Sequence, residues 1–210
     1  MRSHSQGGLG WGLMSLSLAA AAVSAAPTEF DFDDPKKVNS ISFTLDSLLE
    51  PIVGIASGIT GKLSFDPTSP TSTTGGISAE AKNLQFANKG MQDTLHGADW
   101  LDVNKNPKIE FKFKKVIAAK PAGEGVTEMT VVGDMTCHGV TKEVTVPVKA
   151  THLPGKLSER GGKAEGDLLV LRSNFTIKRT DFGLKPDMSD KVVAEAIQVQ
   201  VAIVGSSPKK

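Results

Sequence analysis

A chain of 210 residues is long enough for one domain with a substantial core, or at most two small ones. Its 24 Lys and Arg nearly cancel its 23 Asp and Glu. That balance speaks against a general nucleic-acid binder and leaves neutral or lipidic ligands open. Cys137 is the only cysteine, which excludes intramolecular disulfides and cysteine metal clusters. It reads as a small apolar side chain facing inward on a strand.

The compartment must be read from the N-terminus. Arg2 and His4 precede an apolar run from Leu9 to Val23, suited to a signal peptide and short for a membrane span. Val23-Ser24-Ala25 and Ser24-Ala25-Ala26 both fit a small-x-small cleavage site just before Pro27. Residues 1–26 are thus expected to be a signal peptide, 27–205 one domain and 206–210 a polar tail. Cleavage near Ala25 or Ala26 predicts a periplasmic or secreted protein. No later stretch is long and apolar enough to span a bilayer as a helix, so stable membrane insertion after cleavage is not expected.

The remaining chain alternates. Glu29 to Asp33 is a short first strand, ended by Asp34-Pro35-Lys36-Lys37. Ile41, Phe43 and Leu45 alternate with Ser42 and Thr44, the pattern of a half-buried strand. Ile52 to Phe65 reads as a longer strand whose Gly54, Gly58 and Gly61 mark bends. After a Pro/Ser/Thr/Gly-rich loop, Ile77 to Phe86 reads as another strand. Asn88 to Leu101 changes period: Met91, Leu95 and Ala98 are spaced at three to four, with Asn88 as N-cap, which predicts the single helix. Lys108 to Lys114 returns to strand, with Ile109, Phe111 and Phe113 facing one way.

Thr127 to Cys137 and Val140 to Ala150 form a hairpin, with Gly139 where a positive φ is easiest. Pro147 cannot donate to a ladder, so it is expected at a bulge or edge. Leu169, Leu171, Phe175 and Ile177 share one face of the next strand. Val193, Ile197, Val199, Val201 and Ile203 share a face of the last. Seven to nine strands with short turns and no βαβ alternation predict an all-β fold. A single antiparallel barrel of about eight strands removes exposed edges, with one short helix capping a mouth.

The inward set is Phe43, Leu45, Ile109, Phe111, Phe113, Val131, Met135, Val144, Val146, Leu169, Leu171, Phe175, Ile197, Val199 and Val201. It carries no charge. An interior of this size holds either packed side chains or one elongated apolar ligand, and periodicity alone leaves both open. His96, His138 and His152 lack metal-ligand spacing. There is no Gly-x-Ser-x-Gly elbow and no glycine-rich phosphate loop. The residues therefore point to no enzyme, no metal and no cofactor.

Gly133-Asp134-Met135-Thr136-Cys137-His138-Gly139-Val140-Thr141-Lys142 closely resembles the signature hairpin of the YceI-like family, lipocalin-like barrels that bind polyisoprenoids. Further blocks match in order: Gly61 to Pro67, Leu95 with Asp99 to Val103, Pro107 to Phe111, and Arg179-Thr180-Asp181-Phe182-Gly183-Leu184. Departures stand at Val38-Asn39, where a His-Ser pair is common, at Ala56 and Ile59, where aromatics are common, and at Asn106 in place of Tyr.

The resemblance implies a lipocalin-like barrel that holds an isoprenoid-type lipid for transport, storage or sequestration. The expected ligand-binding residues are the inward set above with Leu95 and Trp100 on a helical lid. Arg179 either meets an anionic head group or, with Asp181, locks its own turn. The alternatives are a filled structural or partner-binding barrel, and then an uncharacterised hydrolase. A homodimer is left open.

Overall fold

The computed structural model describes Met1 and residues 26–209. The leader reading falls on residues that, Met1 and Ala26 apart, lie outside the described set. Among the described residues, eleven strands and one α-helix follow in order: β1 (Thr28–Asp31), β2 (Ser40–Thr44), β3 (Val53–Ala56), β4 (Ile59–Phe65), β5 (Thr74–Glu80), β6 (Leu84–Phe86), α1 (Lys89–His96), β7 (Lys108–Pro121), β8 (Val126–Cys137), β9 (Val140–Leu153), β10 (Gly166–Lys178) and β11 (Ala196–Pro208).

Every pairing is antiparallel, and β1, β4, β5, β7, β8, β9, β10 and β11 close into a ring through β1–β11. The short strands β2, β3 and β6 pair in turn along the same edge of β11. They continue the staves begun by β1, β4 and β5, so eleven strands make an eight-stave barrel. The expected count of seven to nine was short because three staves are broken. Ile52 to Phe65, read as one strand, is split at Ser57-Gly58, where Gly58 has φ +67°. Ile77 to Phe86 is likewise split by a 3₁₀ turn at Ala81–Asn83.

The break between β1 and β2 is sealed by a side chain. Buried Asn39 donates to the carbonyls of Phe32 and Val204 (both 3.0 Å) and accepts from the Val204 N–H at 2.8 Å. One amide thus stands in for ladder bonds that β1 alone would leave unmade. Nearby, Arg160 in the β9–β10 connection reaches buried Asp34 at 2.7 Å. Burial pushes the Asp34 carboxyl up. The Arg160 hydrogen bond, the Val38 amide and the Arg160 charge outweigh this and hold it below the usual carboxylate range.

The signature hairpin is β8–β9. His138 (φ 50°) and Gly139 (φ 73°) form its two-residue turn. Consecutive positive φ angles match the twist of the flanking strands. β7 runs on to Pro121, beyond the expected end at Lys114, because register shifts after Phe113 and after Val116 interrupt its alternation. β11 continues to Pro208, opposite Gly166, so Ser206 to Pro208 belong to the sheet rather than to a tail.

The helix is shorter than its periodicity suggested. Asn88 caps it, its side chain accepting from the Met91 N–H at 3.0 Å, and it stops at His96. Gly97 leaves the helix in an extended conformation, and turns carry the chain through Trp100 and Leu101 to β7.

Candidate functional site

The barrel interior divides into two halves. One lies toward the β7–β8 and β9–β10 connections. There Phe30, Leu63, Phe65, Met129, Val131, Ala150 and Leu169 are all buried in one contiguous core. The other half lies toward α1 and the β8–β9 turn and encloses a cavity of about 190 Å³.

Of the expected residues, Phe43 on β2 and Leu45 just after it, Ile109, Phe111 and Phe113 on β7, and Met135 on β8 stand on the cavity wall. So do Val146 on β9, Leu171 and Phe175 on β10, and Ile197, Val199 and Val201 on β11. Leu95 from α1 and Trp100 and Leu101 beyond it close the wall at the helix end. The Phe111 and Phe113 rings meet edge-on at 5.4 Å, and Phe43 meets Phe86 at 5.5 Å.

Four expected residues are placed elsewhere. Val131 and Leu169 are fully buried in the packed half. Correct parity puts a side chain inside a barrel, but its height along the strand decides whether it meets space or another side chain. Val144 is only partly buried, packed against the core near the β9 end, and is off the wall. Arg179 is completely buried and faces no opening. Its guanidinium donates to the carbonyls of Ala194 (3.3 Å), Leu184 (3.1 Å), Lys185 and Met188, with the Asp190 carboxylate at 3.4 Å. Of the two readings made for Arg179, the locking one matches this geometry, except that the anion is Asp190 and not Asp181. Arg179 thereby ties down the strap between β10 and β11, whose Leu184 reaches the cavity wall.

The wall also contains residues outside the expected ligand-binding set, although alternation puts Ile41, Ile177 and Ile203 on the same strand faces as members of it. Ile41, Ile77, Leu84, Val148, Ile177 and Ile203 enlarge its apolar area, and Ala56, Ala79, Cys137 and Ser173 leave space because they are small. Ser78, Glu110 and Ser173 are its polar members. Burial pushes the Cys137 thiol up to about 12, so it is an inert wall group at neutral pH.

One side of this half is not zipped. The β9–β10 ladder joins only Lys149–Leu153 to Leu168–Arg172. Val140–Val148 and Ser173–Lys178 run on without ladder pairing between them, although wall residues occur on both. Pro147 sits just past the lapse, in unbroken register with β8, which is where a residue without an N–H does least harm. Its carbonyl accepts from the Ser173 hydroxyl, a single stitch across the slit.

The strap and the helix segment meet over the helix end of the barrel. Lys185, next to Leu184, reaches Asp99, next to Trp100, at 2.8 Å. The Lys185 hydrogen bond and charge hold the Asp99 carboxyl below its ordinary range. His138 Nδ1 lies 3.3 Å from the Phe182 carbonyl, which joins the β8–β9 turn to the strap. Among the described residues, no group of three or more His, Cys, Asp or Glu side chains is placed to hold a metal, and no helix is long and apolar enough to cross a bilayer.

Comparison with known proteins places this architecture. A UPF0312 protein of Pseudomonas fluorescens is 30% identical over 176 residues, covering 83% of this chain and 84% of its own. The crystal structure of Burkholderia cenocepacia BcnA superposes with a TM-score of 0.63 at 20% identity, over 79% of this chain and 95% of BcnA. A polyisoprenoid binding domain from Saccharophagus degradans superposes with a TM-score of 0.61 at 10% identity, over 87% of this chain and 99% of that domain. At those identities the two structures speak for the fold. The YceI-like domain profile matches residues 30–205, and with that span matched, the chain belongs to the YceI-like family.

Proposed function

We propose that the protein is a non-enzymatic carrier that holds a long apolar lipid of the isoprenoid type in the hollow half of the barrel, for transport, storage or sequestration outside the cytoplasm. The observation that carries this reading is the cavity itself, walled by aromatic and aliphatic side chains with few polar members. An isoprenoid tail has no hydrogen-bonding groups, so its affinity comes from leaving water, and such a wall, with only Ser78, Glu110 and Ser173 polar, has few polar groups to dehydrate. The signal-peptide pattern of residues 1–26 supports the location. The Saccharophagus degradans domain, described as polyisoprenoid binding, supports the class of guest.

Magnitudes separate short guests from long ones. One water needs roughly 10–15 Å³ of comparable volume, so about 190 Å³ takes on the order of a dozen carbons. At about 0.3 kcal/mol per heavy atom, those carbons supply on the order of 4 kcal/mol, a millimolar affinity. Micromolar retention needs roughly thirty covered heavy atoms. A short prenyl chain therefore fills the cavity but binds weakly. A polyisoprenoid gains the rest only if its chain continues past the cavity, for which the unzipped β9–β10 slit is the natural course.

Solvent extraction and native mass spectrometry of the purified protein test this. The expected result is a co-purifying apolar lipid, displaced when Ala79→Phe fills the cavity. A parent chain that carries no lipid and takes up no prenyl probe would overturn it.

A further inference from the structure

We propose that the tip of the β2–β3 hairpin is an apolar wedge that seats the hollow end of the barrel on an uncharged bilayer surface. This rests on the lipid-holding reading above. Apart from Met1, Leu48 and Leu49 are the most exposed large apolar side chains among the described residues, at 78% and 69%. They are consecutive, and they stand at the tip of a fastened turn. The Ser47 N–H donates to the Glu50 carbonyl at 3.1 Å. The Ser47 hydroxyl donates to the same carbonyl at 2.9 Å and accepts from the N–H groups of Glu50 (2.9 Å) and Leu49 (3.3 Å).

Much of the polar main chain at the tip is therefore satisfied within the turn. That lowers the penalty for taking it out of water, and what the tip presents outward is hydrocarbon. Val53 and Ile55 prolong the exposed apolar strip along β3, and Val192 in the strap adds another on the same end of the barrel. The other exposed large apolar residues, Val38 and Ile117, stand on separate elements.

Shape, place and charge decide the occupant. A protruding pair of leucines offers a partner no groove, whereas a fluid apolar phase needs no matching contour. The tip lies at the end where Leu45, Leu184 and Trp100 bound the cavity, and a guest of this class resides in bilayers. No Lys or Arg occurs between Val38 and Gly61, and the charges beside the tip are Asp46 and Glu50. Attraction to anionic lipid is thus not the driving force, and burial of the leucines is.

The test uses the full mature chain with vesicles of pure phosphatidylcholine. Co-sedimentation of the parent is expected to be insensitive to added salt. Leu48→Asp combined with Leu49→Asp is expected to lower partitioning by at least about tenfold. Single Leu48→Ser and Leu49→Ser changes, which leave the hairpin hydrogen bonds untouched, are expected to give smaller losses. Transfer of a fluorescent long-chain polyprenol analogue, with enough carbons to run past the cavity, from vesicles should slow in parallel, while its uptake from detergent micelles stays at the parent level. Equal partitioning of parent and double variant would overturn the wedge, as would a parent that ignores the vesicles. So would a parent dimer that the double variant converts to monomer, because the tip would then face a second copy. If the parent takes no probe even from micelles, the lipid-holding reading fails, and vesicle partitioning alone then decides the wedge.

Discussion

The two halves of the barrel are made from many of the same strands with the same inward alternation, yet one is packed and the other is hollow. In the packed half, Phe30, Leu63, Phe65, Val131 and Leu169 arrive from four strands and fill the space between them. In the hollow half the inward positions include Ala56, Ala79, Cys137 and Ser173, and the β9–β10 ladder lapses beside them. At Ala56 the family pattern commonly has an aromatic. Space in this barrel thus comes from small residues at inward positions and an unzipped pair of strands, not from a different hydrophobic pattern. Packing of ordinary density is the default for an apolar interior, and a void has to be built.

The largest expected contrast is between two phenylalanines. Phe30→Ala, in the packed half, should cost about 3–5 kcal/mol. Phe175→Ala, whose ring already borders space, should cost about 1–2 kcal/mol, because fewer packing contacts are lost. Urea unfolding of both variants measures this, and equal losses would break the distinction between the halves.

A smaller contrast reverses sign. Ala150→Leu forces extra methylenes into the packed half and should destabilise by about 1–3 kcal/mol. Ala79→Leu places them in the cavity, where added apolar contact should leave stability equal or higher while reducing uptake of a prenyl probe. Thermal melts paired with probe titrations check both results.

The smallest contrast is in pH. In the Asp34–Arg160 pair the Asp34 side chain is nearly out of water while Arg160 is partly exposed, and the Asp34 carboxyl is held below its ordinary value. A depressed folded-state value means the stabilisation is present above the unfolded pKa of about 4 and is lost as pH falls through the folded value. Parent stability should therefore drop in that acid range, and Asp34→Asn should flatten this part of the profile. The Asp99–Lys185 pair at the hollow end is shifted in the same direction but is exposed, so added salt should weaken it while affecting the Asp34–Arg160 pair less. NMR titration of the two carboxyls with and without salt separates them.

Alternation made the strands legible and placed many cavity-wall residues on apolar strand faces, among them Phe43, Phe111, Phe175 and Val199. It failed where the backbone departs from regular geometry. The splits at Gly58 and at Ala81–Asn83 look from the sequence like continuous strands, and the bulges after Phe113 hide the second half of β7. Arg179 was visible as part of a motif, but its partners lie up to fifteen residues away in an irregular strap. Asn39 was noted only as a departure from the family pattern, because the strands it joins are 165 residues apart.

Local pattern by itself determined an antiparallel all-β fold whose strands each carry an apolar face, since period-two burial is written residue by residue. Only the tertiary structure decided which inward residues meet one another and which meet space. That depends on the height at which strands far apart in sequence bring their side chains together, and on where a ladder stops, neither of which any single strand encodes.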